Sequence, residues 1–232
     1  MLTLRPASER FHTDAGWLDS RHTFAFGEFW DPRHAGFRKL LVLNDDRVVP
    51  GGGFGTHGHR DMEIVSWVLE GVLEHRDSLG SGSVLRPGMI QRMSAGTGIL
   101  HSEFNASKRE PLHFLQIWIV PETKNLPPGY EEKVLDPALL DGFLHIVAAR
   151  DAGPDAVTIR QDAAILIGRL KKGHAVTHAL APGRHAWVHV ATGEIALNGL
   201  SLREGDGAAV SDEQELGLSS SSAGEVLVLD LA

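Results

Sequence analysis

The pattern of hydrophobic and polar positions along the chain is that of short β-strands separated by turns. Apolar and β-branched residues dominate Glu63–Leu69 and His113–Val120, which we predict to be strands. Turns at Glu70-Gly71 and Pro87-Gly88 separate hairpin-sized segments between them. The pattern then resumes, and it predicts further strands at Leu144–Ala149, Ala164–Leu170, Ala186–Ala191, Glu194–Leu197 and Glu225–Leu231.

The length and spacing of these strands indicate a fold class. Short strands with glycine and proline between them are typical of a β-sandwich or β-barrel. A doubly wound α/β fold would require long amphipathic helices, and the pattern favours only one short helix, near residues 137–141. A proline-rich stretch, 121–142, separates the two strand-rich halves. We predict an all-β protein with domains at 1–134 and 144–232 and a connector at 135–143.

The stretch Gly51–Asn105 carries the residues with the clearest chemistry. His57 and His59 lie near its start, and His101 and Glu103 near its end. Because residues i and i+2 of a strand point to the same face, each pair shares a face. Two neighbouring strands would bring together three imidazoles and one carboxylate, donors that suit Fe, Ni, Cu or Zn.

Two alternatives to this interpretation follow from the sequence: the histidines could be solvated instead of binding a metal, and the carboxylate ligand could be a different residue. The chain has 13 histidines in 232 residues, so a single His-x-His pair could simply be solvated. The second pair, His101 and Glu103, argues against that interpretation. Glu63 also has the strand parity to join His57 and His59, so spacing alone leaves the carboxylate ligand open.

Composition narrows the chemistry and the partners. The chain has no cysteine, so a metal must be bound by nitrogen and oxygen. The formal net charge of -8 argues against direct contact with nucleic acid or anionic lipid. There is no apolar run of about 18 residues to span a membrane, and the first residues lack the apolar region of a signal peptide. We therefore expect a soluble, cytoplasmic protein.

The two halves also share a spaced motif. Gly51-x5-His57 recurs 117 residues later as Gly168-x5-His174. No His-x-His or His-x-Glu occurs after residue 140. We interpret the chain as two copies of one β-barrel with a metal site only in the first, and His174 and His178 as remnants or surface residues. The same offset assigns the positions of His59, His101 and Glu103 to Val176, Leu218 and Ser220.

Longer segments of the first half resemble one known family. The spacings Gly51-x5-His57-x-His59-x3-Glu63 and Gly98-x2-His101-x3-Asn105 are similar to the paired motifs of the cupin superfamily. Five segments resemble the pirin family, and within it the bacterial pirin-like proteins: Gly16–Ser20, His22–Phe24, Gly53–Glu63, Gln91–Gly98 and His101–Asn105. The resemblance is dense over residues 5–135 and thin beyond.

The resemblance implies a fold, a ligand set and a metal. The fold is a bicupin of two tandem jelly-roll β-barrels, with metal only in the N-terminal one. Asp61 and Glu63 then orient or pack around the ligands, since a ligating histidine needs an acceptor for its other nitrogen. Fe(II) is the expected metal, although such a site would accept Ni, Cu, Co, Mn or Zn. The implied ligands are His57, His59, His101 and Glu103.

The resemblance also implies an activity, that of quercetin 2,3-dioxygenase. A flavonol-like aromatic substrate would react with O₂, its ring would open and carbon monoxide would leave, with Glu103 as the catalytic base. A planar polyphenol needs an apolar slot beside the metal. Phe54, Met93 and Phe104 lie near the ligands in sequence and are predicted to line it, with ordinary barrel packing as the competing interpretation.

Two other functions fit the same donor set. Animal pirins resemble metal- and redox-dependent transcriptional cofactors, so this chain could be a regulator that binds a protein partner without turnover. Another cupin reaction, such as an isomerisation, is the third alternative.

Overall fold

The computed structural model describes residues 1–232, and its regular structure is almost entirely β. Short 3₁₀ helices span Ala7–Glu9, Pro32–His34 and Pro137–Leu139. None of the helices has the length and apolar character needed to cross a membrane. The strands of the first half are β1 (Leu2–Arg5), β2 (Phe11–Asp14), β3 (Leu18–His22), β4 (Leu40–Val48), β5 (Gly53–His59), β6 (Glu63–Glu70), β7 (Leu73–Asp77), β8 (Gly82–Leu85), β9 (Met89–Ser94), β10 (Ile99–Asn105), β11 (Leu112–Ile119) and β12 (Gly129–Val134).

The second half is also built of strands, as the hydrophobic pattern predicts, so the all-β prediction is confirmed. These strands are β13 (His145–Ala149), β14 (Val157–Thr158), β15 (Ala163–Leu170), β16 (Ala175–Ala179), β17 (His185–Thr192), β18 (Glu194–Leu197), β19 (Leu200–Arg203), β20 (Gly207–Val210), β21 (Glu215–Ser219) and β22 (Gly224–Leu231).

The strands form two compact units. The N-terminal unit comprises Phe11–Leu135 and Val157–Gln161. The C-terminal unit comprises Met1–Arg10, Asp136–Ala156 and Asp162–Ala232. This division differs from the predicted boundaries, 1–134, 135–143 and 144–232, in three segments. Residues 1–10 and 157–161 belong to the opposite unit, and the predicted connector is divided between the two units after Leu135.

Long-range hydrogen bonds account for the placement of residues 1–10 and 157–161. Strand β1 pairs antiparallel with β20, which makes the first residues part of the C-terminal unit. Conversely, Arg92 Nε donates to the Thr158 carbonyl at 2.7 Å, and Gln161 Nε2 donates to the Val120 carbonyl at 2.7 Å. Both segments are thus assigned by contacts with strands that are distant in sequence, which a local pattern does not reveal.

The two units share one topology. In the N-terminal unit the larger sheet has the order β12-β9-β6-β11-β4-β3-β2 and the smaller has the order β5-β10-β7-β8. In the C-terminal unit β1, β20, β17, β22, β15 and β13 are neighbours in that order, and the smaller sheet is β16-β21-β18-β19. The strands correspond one to one from β12 and β1 onward. The predicted pair of cupin-type barrels is therefore confirmed.

The interior of the C-terminal unit is apolar where the first unit is polar. Side chains from both of its sheets form one buried hydrophobic cluster. Leu218 belongs to this cluster and Val176 packs against it. These are the residues that the 117-residue offset aligns with His101 and His59.

An ion-pair cluster ties the two sheets of the C-terminal unit together. Asp230 on β22 accepts hydrogen bonds from His178 Nε2 of β16, at 2.8 Å, and from Arg184 Nε. Arg184 also donates to Asp162 Oδ1 at 2.9 Å. Burial alone would raise the pKa of Asp230, but the hydrogen bonds from His178 and Arg184 outweigh it and hold the pKa below the ordinary value of 3.8.

We expect Asp230→Asn to lower the free energy of unfolding at pH 7 by about 1–3 kcal/mol, because it weakens hydrogen bonds from charged groups. Since the folded-state pKa of Asp230 lies below 3.8, its stabilising contribution is present above that pH and is lost as the pH falls further. Urea unfolding at pH 7 and pH 3 measures both effects. A difference between wild type and variant that widens toward pH 3 would contradict this assignment.

Candidate metal centre

Strands β5 and β10 bring three histidines together in the N-terminal unit. His57 and His101 are direct cross-strand partners, and their Nε2 atoms lie 3.0 Å apart. The ring of His59 lies 4.8 Å, centroid to centroid, from each of the other two. Gly53 permits this close pairing, because a Cβ there would collide with the carbonyl oxygen of Glu103.

The hydrogen bonds and burial of these rings leave nitrogen lone pairs available. His57 Nδ1 donates to the Gly55 carbonyl at 2.8 Å, so Nε2 is the nitrogen of this ring that can bind a metal. His59 Nε2 is buried and has no hydrogen-bond partner. Burial, and then the neighbouring His57, lower the pKa of His59 to about 4. Burial first and the surrounding histidines second lower the pKa of His101 to about 2. These two rings are therefore neutral at pH 7, as ligation requires.

Glu103 lies beside the histidines and is 1% exposed. Gln116 Nε2 donates to its Oε2 at 2.6 Å, and Ser66 Oγ donates to its Oε1 at 3.3 Å. Complete burial raises the pKa of Glu103 to about 7, although the hydrogen bonds from Gln116 and Ser66 oppose the rise. A buried carboxylate of this kind is stabilised in its ionised form by a nearby cation.

The groups that hold Glu103 form a row across the larger sheet. Gln91 on β9, Ser66 on β6 and Gln116 on β11 are successive cross-strand partners. On each strand, the residues two positions before and two positions after this polar residue are apolar and face inward. For Ser66 these residues are Ile64 and Val68. This row was not predicted from the sequence. A polar residue at an inward position of an otherwise apolar strand was the available signal.

His75 is a further residue that the sequence analysis missed. It is fully buried on β7, directly opposite Glu103 on β10. Its Nε2 lies 3.2 Å from Asp77 Oδ2, and its ring stacks on Tyr130 with centroids 4.9 Å apart. Its ring centroid is also 5.3 Å from that of His101. Because it belongs to no spaced histidine pair, only the tertiary fold brings it to the site.

The two other predicted acidic residues make their hydrogen bonds away from the histidines. Glu63 accepts from Ser94 Oγ at 2.8 Å and from the Arg160 backbone at 3.3 Å. Asp61 accepts from the Asn125 backbone at 2.6 Å. The chain bends between β5 and β6, where Asp61 has a φ of 49°, so strand parity does not carry from His59 to Glu63.

A cavity of about 400 Å³ opens beside the histidines and Glu103. Phe54, one of the three predicted pocket residues, lines it together with His57, His59 and Glu103. Its other walls include three aromatic side chains that the sequence analysis did not assign to it: Trp17, Phe26 and Trp118.

The other two predicted pocket residues lie elsewhere. Met93 is fully buried in an apolar cluster with Ile64, Ala95 and Ile99. Phe104 lines a separate surface depression. It follows Glu103 directly on β10, so alternation turns its side chain to the opposite face of the strand. Of the three residues predicted from their proximity to the ligands in sequence, only Phe54 lines the cavity.

The donor set fits a divalent transition metal. Two nitrogens at adjacent corners of an octahedron with metal–nitrogen bonds of about 2.1 Å lie about 3 Å apart. The Nε2 atoms of His57 and His101 are 3.0 Å apart. The possible ligand atoms of His57, His59 and His101 lie within 4.8 Å of one another, and so do those of His75, His101 and Glu103. His59 Nε2 is buried and has no hydrogen-bond partner, so it is available as a metal ligand.

Comparison with known proteins agrees with this architecture. The Pirin family model matches residues 4–119, and the model of the quercetinase C-terminal cupin domain matches residues 146–231. A relative from Escherichia coli K12, named quercetin 2,3-dioxygenase, is 43% identical over 231 residues, covering 100% of this chain and 99% of the relative.

Two solved structures are similar over the whole chain. The crystal structure of YhhW from Escherichia coli has a TM-score of 0.96 at 43% identity and covers 100% of this chain and 98% of that one. The structure of the bacterial pirin YhhW in complex with nickel(II), also from Escherichia coli, has a TM-score of 0.94 at 42% identity, with coverage of 100% and 99%. The family match and the full-length identity show that this chain belongs to the pirin family.

Proposed function

We propose that this protein is a metal-dependent dioxygenase that opens the ring of a flavonol-type substrate with O₂ and releases carbon monoxide. The observation that carries the proposal is a fully buried carboxylate, Glu103, set beside a cluster of histidines and an aromatic-walled cavity. The name of the Escherichia coli relative, quercetin 2,3-dioxygenase, supports the choice of substrate class.

We assign His57, His59, His101 and Glu103 as the metal ligands and Fe(II) as the metal. Three neutral imidazoles and one carboxylate cancel only one of the two positive charges of a divalent ion. When bound, the metal would supply Lewis acidity and a fixed position for the substrate hydroxyl. The nickel(II) complex of YhhW supports a divalent metal and leaves its identity to experiment.

Glu103 is the residue we assign as the base. It takes the proton of the flavonol 3-hydroxyl, which makes the substrate electron-rich enough to react with O₂. Gln116 and Ser66 hold the two carboxylate oxygens in place, so little reorganisation is needed when the proton is transferred. Overall one O₂ is consumed for each carbon monoxide released.

The cavity walls suit a flat aromatic substrate. Trp17 packs edge-on against Phe54 at a centroid distance of 5.1 Å, and Phe26 packs edge-on against Trp118 at 5.5 Å. The ring of Trp118 also contacts that of His59 at 4.8 Å. Aromatic walls of this kind bind planar rings and exclude water from the reacting atoms.

We expect Fe(II)-loaded protein to release carbon monoxide from quercetin in air, and Glu103→Gln to release it at least about 100-fold more slowly. Glutamine has nearly the same shape but cannot take the proton. Gas-phase carbon monoxide detection measures the rate, and metal analysis of both proteins gives the rate per bound iron. Absence of carbon monoxide from fully loaded wild-type protein would rule out the proposed activity.

We expect Gln116→Leu to lower the affinity for Ni(II) by about 10- to 100-fold, because Glu103 loses the donor that orients it. Competition with a chelator of known affinity measures the change. Gln161→Leu is the matched control, because it also removes a buried side-chain amide. The Gln161 amide donates to the Val120 carbonyl, at 2.7 Å, and not to Glu103. Equal affinities for the two variants would show that Gln116 does not support the ligand set.

A further inference from the structure

The cavity beside the metal centre also contains a buried polar patch, formed by Ser20, His22, Asn44 and Asp46. All four residues line the cavity and are at most 3% exposed. They lie on β3 and β4, where His22 pairs with Asn44 and Ser20 pairs with Asp46. The four side chains therefore form a two-by-two array on the inner face of these strands. We refer to this array as the distal patch.

The strand register gives the separation of the distal patch from Gln116, the residue that bonds Glu103. Gln116, which bonds Glu103, is the cross-strand partner of Asn44, and Asn44 is the partner of His22. Neighbouring strands are about 4.8 Å apart, so Asn44 and His22 lie about 5 and about 10 Å from Gln116 along this row. That distance is comparable to the length of a fused two-ring aromatic system.

Hydrogen bonds within the distal patch fix its donors. His22 Nε2 lies 2.9 Å from the Thr13 hydroxyl, and His22 Nδ1 lies 2.9 Å from Asn44 Oδ1. Because Asn44 Oδ1 can only accept, His22 donates from Nδ1, and its Nε2 accepts from the Thr13 hydroxyl. The side chain of Asn44 makes no other hydrogen bond within the protein, so its amide N–H groups remain for a ligand.

Asp46 adds a buried carboxylate to the distal patch. Its Oδ1 accepts a hydrogen bond from Ser20 Oγ, and the residue lies two positions from Asn44 on the same face of β4. A buried carboxylate disfavours an anionic ligand and accepts from a hydroxyl. A neutral aromatic hydroxyl can donate to Asp46 and accept from Asn44, which a carboxylate or a bare hydrocarbon ring cannot do.

We infer that the distal patch determines substrate specificity by binding aromatic hydroxyl groups at the end of the substrate remote from the metal. This inference rests on the proposed function for the substrate class, but it concerns binding and not turnover. The protein should therefore select polyhydroxylated flavonols over 3-hydroxyflavone, which keeps the metal-binding hydroxyl and lacks the others.

The test is calorimetric titration of Ni(II)-loaded protein without oxygen, with quercetin and 3-hydroxyflavone as ligands. We expect wild type to bind quercetin at least about tenfold more tightly. Asp46→Asn and Asn44→Leu should each reduce this preference by about tenfold, the effect of one hydrogen bond to a buried polar or charged group. Affinity for 3-hydroxyflavone should stay within about twofold in both variants.

Asp45→Asn is the matched control. Asp45 lies between Asn44 and Asp46 on β4 and is also buried, but its side chain is on the opposite face of the strand. There its Oδ1 lies 2.7 Å from His113 Nε2. It should retain the wild-type preference. Thermal midpoints and metal content check that each variant is folded and loaded, and Asn44→Leu decides the result if Asp46→Asn does not fold.

The outcomes separate this inference from the proposed function. Equal wild-type affinity for the two ligands, or an unchanged preference in both patch variants, would overturn the specificity role. Binding with the expected preference but without carbon monoxide release in air would support the distal patch and refute the dioxygenase. Wild-type protein that binds neither flavonol would overturn both.

Discussion

The N-terminal barrel is organised around the cost of burying one carboxylate. An ionised carboxylate inside a protein is strongly destabilised unless donors and a nearby positive charge compensate it. Gln116 and Ser66 provide the donors for Glu103, and neutral histidine nitrogens beside it provide a place for a cation. Apolar clusters lie on either side of this polar layer, which limits access of water to it. The same burial leaves the pKa of Glu103 dependent on what occupies the site.

The C-terminal barrel shows what the same fold does without that constraint. It has matching strand order, yet both of its sheets contribute to one apolar cluster, which includes Leu218, the residue 117 positions after His101. The topology therefore does not require a polar layer for stability. A polar layer retained at an energetic cost in one copy indicates that it serves chemistry rather than folding.

The proposed metal site and the distal patch line the same cavity. The row that holds Glu103 continues from Gln116 to Asn44 and His22, so one line of cross-strand partners runs from the residues that bond Glu103 to the distal patch. Aromatic side chains, including that of Trp118, line the same cavity. Such an arrangement, apolar with a few directional polar groups, favours a flat ligand with polar atoms at both ends.

The sequence by itself determined the all-β class, the longer apolar strands, the duplication and the shared strand faces of His57 with His59 and of His101 with Glu103, because alternation and spacing are local properties. It did not determine which residues share the interior with them. His75 and Gln116 lie on other strands, and their positions depend on register, which is set by pairings between distant segments. The first strand likewise joins the second barrel through a pairing with β20 that only tertiary structure decides.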